Sequence, residues 1–369
     1  MKIAVFGTRG FPLIQGGVEK HCENLYPQFS HQIKIIVFRR KAFISEENKN
    51  PHFGDNLEFI DLPSTKIKGF EAFFHSFLAT MYCLIIRPDI VHIHNIGPGI
   101  FTPILRLVNL KVVLTYHSAN YEHKKWGIFG KTVLKLGEFC STRFANKIIF
   151  VNEMIMKSFS PQIQKKSTFI PNGIKPASFT QSKDYLKTLG IDNQPYFLTV
   201  GRITPEKGFD YLIDAFNLLN TNNIYLVIAG GIDHKSAYGN ELLNKAKTNR
   251  RIIFTGHVEG KALEQLYNQA QLFILPSYNE GYPIVLLEAI SYQLPILASD
   301  IPANKQLKLP QESYFHTGDY KELATILENR FISGTKISIN YKQPLYTWHD
   351  VAKRTEQIFL DIYKKDLGA

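Results

Sequence analysis

Residues 2–19 read Lys2-Ile3-Ala4-Val5-Phe6-Gly7-Thr8-Arg9-Gly10-Phe11-Pro12-Leu13-Ile14-Gln15-Gly16-Gly17-Val18-Glu19. A short apolar run stops at a glycine. A glycine pair then opens a helical pattern, with Val18, Cys22, Leu25 and Tyr26 on one face. A buried strand, a glycine turn and a helix form the first step of a parallel α/β sheet. Glycines at such a turn let backbone N–H groups approach a phosphate or a sugar, and the helix N-terminus favours an anion. The spacing is not a strict G-x-G-x-x-G, and no Gly-Lys-Ser/Thr follows to make a P-loop.

The same rhythm continues outward. Strands are predicted at 33–38, 57–62, 90–94, 111–116 and 147–151, with helices at 16–29, 67–86, 100–108 and 130–145 between them. Residues 168–195 break the rhythm with Pro171-Asn172-Gly173, Pro176 and Pro195, and read as an inter-domain connection. The alternation then restarts. Strands are predicted at 197–200, 224–229, 252–255, 272–275 and 296–298, and helices at 208–219, 240–248, 263–270, 284–292 and 320–329. An amphipathic helix at 348–364 ends the chain. The fold class is therefore α/β: two Rossmann-like doubly wound domains facing a cleft, with ligands expected outside the carboxyl ends of the strands. The expected boundaries are 1–173, 174–349 and a final helical segment 350–369.

Composition agrees with a globular chain of 369 residues, 44% hydrophobic and 20% charged. Its three cysteines, Cys22, Cys83 and Cys140, form no C-x-x-C pair, which argues against a disulfide framework or a thiolate zinc site and predicts a reducing cytosol. The apolar run before Gly7 is too short for a signal peptide. The apolar stretch 67–86 contains Lys68, Glu71 and His75 and fails as a membrane-spanning helix. Its apolar face, Phe70, Phe73, Phe74, Phe77, Leu78 and Met81, is expected to pack on a sheet; the sharper alternative is a membrane surface. The net charge of +11 is unevenly spread: residues 1–175 hold 23 Lys+Arg against 12 Asp+Glu, whereas the remainder hold 20 of each. The first half is thus suited to an anionic partner, with nucleic acid, membrane and a phosphorylated substrate open on charge alone.

Several positions could carry chemistry. His92 and His94 share one face of a strand, and a hydrogen-bonded pair is favoured over a metal pair because no third ligand stands at a recognisable spacing. His117 follows a strand end, where an acid, base or sugar-binding group belongs. Gly201-Arg202 follows a strand and Glu206-Lys207-Gly208 opens the next helix, so two cations meet a helix N-terminus as a diphosphate site would require. The densest run is Pro276-Ser277-Tyr278-Asn279-Glu280-Gly281-Tyr282-Pro283-Ile284-Val285-Leu286-Leu287-Glu288-Ala289. Glu288 stands in an apolar helix, where a carboxylate needs a partner. Ribose or sugar hydroxyls suit it.

Gly-Gly-x-Glu, Pro-Asn-Gly-Ile, Gly-Arg-x(4)-Lys-Gly and Glu-x(7)-Glu, in this order over nearly the whole chain, resemble the retaining glycosyltransferases of family 4. The resemblance implies a GT-B fold whose final helix returns to the first domain. The opening Gly-Thr-Arg-Gly-Phe-Pro resembles a rhamnosyltransferase-like bacterial subgroup that builds surface polysaccharides. On this resemblance Arg202 and Lys207 would hold the diphosphate of a nucleotide-sugar donor and Glu288 the ribose. Glu280, with Gly281 and Tyr282, would meet the transferred sugar. Gly16 and Gly17 would approach the donor from the first domain, and His117 would lie near the donor sugar. Arg202, Lys207, His117 and Glu280 are the catalytic candidates. Pro283 replaces a glycine common in the family. The chain holds no Asp-x-Asp, so a metal-independent enzyme without a cofactor is expected.

The implied partners are a UDP-, GDP- or dTDP-sugar and a glycan or lipid-diphosphate-linked acceptor, with an anionic membrane surface and no nucleic acid. The implied location is cytoplasmic, on the inner face of the membrane. An NADP-dependent oxidoreductase is the main alternative, with Arg39-Arg40 on a 2′-phosphate. It leaves Arg202, Lys207, Glu280 and Glu288 unexplained. A non-catalytic sugar- or lipid-binding protein and a nucleotide-sugar epimerase share the scaffold. Stabilisation by UDP or GDP but not NADPH separates the first of these.

Overall fold

The computed structural model describes residues 1–49, 53–65, 70–119, 121, 127–220, 223–232, 237–332 and 339–367. The chain forms two compact units, Met1–Gly173 with Tyr346–Ala369, and Ile174–Leu345.

In the first unit the strands are β1 (Lys2–Phe6), β2 (Lys34–Arg40), β3 (Leu57–Leu62), β4 (Ile90–His94), β5 (Lys111–Tyr116), β6 (Lys147–Phe150) and β7 (Ser167–Phe169). They make one sheet in the order β3-β2-β1-β4-β5-β6-β7, with every neighbour parallel. Helices α1 (Gly17–Leu25), α2 (Phe70–Ile86), α3 (Thr102–Leu107), α4 (Ile128–Phe144), α5 (Glu153–Ser158) and α6 (Pro161–Gln164) connect them. The central strands are continuous runs of Val, Ile and Leu because parallel strands are covered on both faces. Ile3, Val5, Val91, Ile93, Val112 and Leu114 are fully buried. The order of strands reverses between β1 and β4, which makes that point the crevice of a doubly wound sheet.

The second unit repeats the plan. Strands β8 (Tyr196–Val200), β9 (Tyr225–Ala229), β10 (Ile252–Gly256), β11 (Leu272–Leu275), β12 (Ile296–Ser299) and β13 (Tyr314–Phe315) run in the order β10-β9-β8-β11-β12-β13. They are also parallel. Its helices are α7 (Asp184–Thr188), α8 (Phe209–Asn217), α9 (Ala237–Ala246), α10 (Gly260–Gln269), α11 (Ile284–Ser291), α12 (Pro302–Lys305) and α13 (Tyr320–Ile332). The reversal lies between β8 and β11. Helix α14 (Trp348–Leu367) belongs to the first unit, which the chain re-enters at Tyr346 rather than at 350. Phe359 meets Phe29 at 5.8 Å between ring centroids, and Arg354 donates to the Phe169 carbonyl at 2.8 Å.

Several expectations need correction. The helix expected over 16–29 ends at Leu25 and passes into a 3-10 turn, Tyr26–Gln28, since Pro27 has no N–H to continue it. The segment read as a connection, 168–195, contains the end of edge strand β7 and all of helix α7, both too short to show a period. Helix α2 is turned about its axis relative to the sequence reading. Its buried residues are His75, Ser76, Ala79, Thr80 and Cys83, while Phe70, Phe73 and Phe77 are exposed. Small residues at i, i+4 spacing let the helix lie close to the sheet, and the phenylalanines are left outside. Lys68 and the start of the 67–86 stretch fall outside the described residues, as do Lys124, Lys125 and Trp126.

Gly7, at the end of β1, has φ +105°, and a Cβ there would stand 2.0 Å from the His94 carbonyl oxygen. Gly17 has open space around it. Gly7→Ala should therefore destabilise the first unit by about 1–3 kcal/mol. Gly17→Ala should change stability by less than about 1 kcal/mol. Urea unfolding of the two variants checks this; equal effects would show that the close approach to His94 does not constrain the turn.

Candidate functional site

The second unit presents its charged residues where the strand order reverses. Gly201-Arg202 leave β8, and residues 276–283 leave β11. Gly208 caps α8 with φ +66°, and a Cβ would stand 2.1 Å from the Pro276 carbonyl oxygen. The Tyr278 N–H donates to the Glu206 carbonyl at 2.9 Å, and the Tyr211 hydroxyl donates to the Pro276 carbonyl. The two loops are thereby clamped together. Lys207 and Glu280, one from each loop, form an ion pair at 2.5 Å, with both side chains largely buried.

The same Glu280 oxygen accepts the Ser277 hydroxyl at 2.7 Å. The Ser299 hydroxyl donates to the Ser277 carbonyl at 2.6 Å, and Asn304 donates to the Ser299 carbonyl at 2.8 Å. Ser277, Ser299 and Asn304 are fully buried. These supports were not read from the sequence, because a serine or asparagine in an α/β chain has no periodic signature. Gly281 and Tyr282 lie half-buried in the same loop.

Glu288 lies on the second turn of α11. Its Oε2 accepts the Tyr267 hydroxyl at 2.9 Å, and Tyr267 stacks on Tyr292 with centroids 5.1 Å apart. Burial, and then the neighbouring Glu288 carboxylate, hold the Tyr267 phenol well above its ordinary range, so it stays a donor. The apolar setting of Glu288 thus has an internal partner and does not by itself demand a ligand. Pro283 is the N-cap of α11 rather than a first-turn residue. Its carbonyl accepts the Leu286 and Leu287 N–H groups at 3.1 and 3.3 Å.

In the first unit Gly16 precedes α1 and lies against the Glu19 carboxylate. Glu19 in turn accepts the Arg9 N–H at 3.1 Å and so ties the turn after β1 to the helix. Deeper in the sheet stands a cluster of histidines. Tyr26 hydroxyl lies 2.7 Å from His92 Nδ1 and 2.6 Å from His94 Nε2. His92 Nε2 meets the Thr115 hydroxyl at 2.7 Å, and His94 Nδ1 meets His117 Nε2 at 2.9 Å. His21 Nδ1 meets Asn172 Oδ1 at 2.8 Å. His92 and His94 are thus a hydrogen-bonded pair bridged by Tyr26. His21, Tyr26 and Asn172 were missed as members. The helical face carrying Cys22 and Tyr26 was legible; its aim at β4 was not. His21, His94 and His117 have ligating atoms within 4.8 Å of one another, and His94 Nδ1 and His117 Nε2 are hydrogen-bonded to each other.

Burial brings His92 down to about 3 and His21 to about 4, and sets His94 and His117 well below the ordinary imidazole range. Mutual repulsion among the rings adds to this for His92, His94 and His117. All four are neutral at pH 7.

The arginines of the oxidoreductase alternative are engaged internally. Arg39 is fully buried, pairs with Asp61 through Nε at 2.7 Å, and donates to the Asn48 carbonyl at 2.8 Å. Arg40 is buried against Glu71. Neither guanidinium is presented to a 2′-phosphate.

The histidine cluster sets a pH dependence. Each folded pKa lies below the unfolded value of about 6.5, so the unfolded chain binds protons that the folded unit refuses. Stability is then full above about pH 6.5 and falls as pH drops toward about 4. Urea unfolding at pH 7.5, 6.5 and 5.5 should show this decline before most carboxylates titrate. His92→Gln should make the slope shallower; an unchanged slope would place the proton uptake elsewhere.

Comparisons with known proteins agree with this geometry. Residues 15–178 match the family described as Glycosyltransferase Family 4, and residues 181–329 match Glycosyl transferases group 1. The amylovoran biosynthesis glycosyltransferase AmsD of Erwinia amylovora is 25% identical, over 83% of this chain and 84% of its own. Sucrose-phosphate synthase from Thermosynechococcus elongatus superposes with a TM-score of 0.80 at 20% identity, over 99% of both chains. HepE of Anabaena in complex with UDP-glucose superposes with a TM-score of 0.73 at 17% identity, over 99% of this chain and 97% of its own. With two doubly wound sheets, charged loops at the second reversal and two family matches covering most of its length, the chain belongs to the family-4 glycosyltransferases of GT-B fold.

Proposed function

We propose that the chain transfers a hexosyl-type sugar from a nucleotide diphosphate sugar to a glycan or lipid-linked acceptor in bacterial polysaccharide synthesis, with retention and without a metal. The observation that carries this reading is the Lys207–Glu280 pair, held across the β8/β11 reversal by the two clamped loops. An arriving diphosphate offers Lys207 a new anion beside Arg202 and the α8 N-terminus. Glu280 is then released to accept sugar hydroxyls. Glu288, oriented by Tyr267, is suited to the ribose. In this mechanism the acceptor hydroxyl approaches the face that the nucleotide leaves, and a leaving phosphate oxygen takes its proton. Negative charge grows on the departing diphosphate, where Arg202 and Lys207 oppose it.

The complex of HepE with UDP-glucose and the biosynthetic role in AmsD's name favour a nucleotide sugar and a polysaccharide. The opening Gly7-Thr8-Arg9-Gly10-Phe11-Pro12 favours the rhamnosyltransferase-like subgroup. A panel of UDP-, GDP- and dTDP-sugars scored by thermal shift and hydrolysis tests the reading; stabilisation by NADPH alone would reject it.

The first unit is also suited to the inner face of an anionic membrane. No helix among the described residues is long and apolar enough to cross one. On α4, however, Ile128 and Phe129 are 88% and 83% exposed, and Leu136, Phe139 and Phe144 are also exposed. Lys131, Lys135 and Arg143 stand exposed on the same helix. Apolar side chains among cations fit a charged lipid interface. The chain should sediment with phosphatidylglycerol-containing vesicles at low salt and detach as salt rises through the physiological range. Phe129→Ser with Phe139→Ser should weaken this. Equal binding to neutral vesicles, or none at low salt, would count against it.

Lys207→Ala should damage turnover more than donor binding. The ground-state diphosphate is already charged, and the leaving diphosphate more so, so the difference emerges as the glycosidic bond breaks. The barrier should rise by about 2.7–4 kcal/mol, by analogy with lost oxyanion donors. The check is kcat at saturating donor beside donor affinity by calorimetry. Collapse of affinity with intact kcat would make Lys207 a binding residue only.

A further inference from the structure

Three histidines of the first unit arrive at one point from three elements. His21 comes from α1, His94 is the last residue of β4, and His117 directly follows β5. Each offers a ring nitrogen, and these nitrogens all lie within 4.8 Å of one another. The ring centroids stand 5.7 Å apart for His21 and His94, 4.9 Å for His21 and His117, and 5.2 Å for His94 and His117. The sequence set His92 beside His94 and supplied no third ligand. The fold turns His92 toward Thr115 instead and brings His21 across from the helix.

Tetrahedral zinc holds imidazole nitrogens at about 2.0–2.1 Å, which separates two of them by about 3.4 Å. His94 Nδ1 and His117 Nε2 are 2.9 Å apart, and the widest gap in the set is at most 4.8 Å. These distances lie on either side of the tetrahedral value, so small ring rotations close the site. Three imidazoles without a carboxylate suit zinc and its first-row neighbours, and do not suit magnesium or calcium. Burial keeps the rings neutral at pH 7, which is the form that ligates.

The hydrogen count permits entry of a dication, whichever way the bonds of the cluster run in its absence. A neutral imidazole has one hydrogen and one bare nitrogen, so each ring can turn a bare nitrogen inward. His94 then carries its hydrogen on Nε2, 2.6 Å from the Tyr26 oxygen. Tyr26 gives its own hydrogen to His92 Nδ1 at 2.7 Å, and His92 gives Nε2–H to the Thr115 oxygen at 2.7 Å. No hydrogen has to leave. His21 Nδ1 lies 2.8 Å from Asn172 Oδ1, the kind of partner that orients a metal-bound imidazole from its far side. Cys22 Sγ meets the Nε2 side of His94, away from Nδ1, and is outside the ligand set.

We infer that His21, His94 and His117 form a site for a zinc-class dication, with Asn172 and Tyr26 as positioning residues behind the ligands, and that the bound ion inhibits the chain. The site stands on this geometry alone. The inhibition rests on the transferase reading above, in which the reaction needs no metal. An ion held at the carboxyl ends of β4 and β5, beside the strand-order reversal, occupies the crevice where such a sheet takes its ligands.

The test uses the untagged full chain, stripped of metal with EDTA and desalted, at pH 7.5. Cobalt should give visible d–d bands that saturate at one ion per chain and are bleached by one equivalent of zinc. No near-ultraviolet thiolate band should accompany them. His21→Gln and His117→Gln should each abolish the bands. Asn172→Ala should weaken zinc about 10–100-fold, a loss that binding at surface histidines would not show. His316→Gln, in the second unit beside Glu322, should leave binding unchanged. Circular dichroism checks folding, and where a histidine variant does not fold, Asn172→Ala decides. Absence of saturable binding at micromolar metal would overturn the site. So would bands that persist in either histidine variant, zinc affinity unmoved by Asn172→Ala, or a thiolate band removed by Cys22→Ala.

A sugar-transfer assay reads the inhibition separately. One equivalent of zinc should remove most of the turnover, and EDTA should restore it. Under zinc, His21→Gln should keep roughly 10-fold more of its own metal-free turnover than the parent keeps. Turnover undiminished by bound zinc, or lost equally in parent and variant, would overturn the inhibition. If no sugar is transferred at all, the inhibition falls with the transferase reading and the metal site does not.

Discussion

At both strand-order reversals a backbone carbonyl stands where a side chain would begin. The His94 carbonyl lies against Gly7 in the first unit, and the Pro276 carbonyl lies against Gly208 in the second. The first contact joins the ends of β1 and β4, and the second joins the N-terminus of α8 to the end of β11. A Cβ at either glycine would push the two loops apart. Everything placed on those loops inherits its position from this approach, including the link from Glu206 to Tyr278 and the ion pair from Lys207 to Glu280. The crevice of a doubly wound sheet is thus a packing contact before it is a binding site.

The two units fill their crevices with opposite chemistry. The second unit sets a lysine against a carboxylate, one from each of two clamped loops. The first unit sets four histidines so deeply that burial removes their charge, and connects them through hydroxyls and an amide. One crevice holds an ion pair and the other a set of uncharged rings. This division follows from burial: the rings of His21, His92, His94 and His117 are enclosed and lose their charge, whether they stand on α1, on β4 or just past β5.

Much of this was legible in the sequence. Alternating apolar runs and helical patterns located most of the strands, because continuous buried runs between turns are a strong signal. The glycine turns and the Glu280–Glu288 segment marked the loops. What escaped was short, or depended on contacts across the sheet. Strand β13 has two residues and α7 five, little more than one period of each pattern and too few to show a repeat. Tyr267 lies 21 residues from Glu288 in sequence, so its hydroxyl could not be foreseen as the partner of that carboxylate. Ser299 and Asn304 support Glu280 through backbone and hydroxyl contacts that leave no compositional trace.

Helix α2 shows why hydrophobicity alone did not orient it. Most of its residues are apolar, so the contrast between its faces is small, and choosing the bulkiest stripe as the core was the natural reading. Packing against a sheet selects for fit as well as for apolar area. Ala79, Cys83, Ser76 and Thr80 allow the helix axis to come close, and the Ser76 and Thr80 hydroxyls return to the Ala72 and Ser76 carbonyls at 2.7 and 2.8 Å. Their polarity is thereby satisfied within the helix and does not oppose burial. The displaced aromatic rings then pack among themselves and onto Phe101, with Phe73 5.1 Å from it between centroids. The outward phenylalanines of α2 and the exposed apolar residues of α4 thus have one origin: small residues in contact with the layer beneath leave the large ones to face outward.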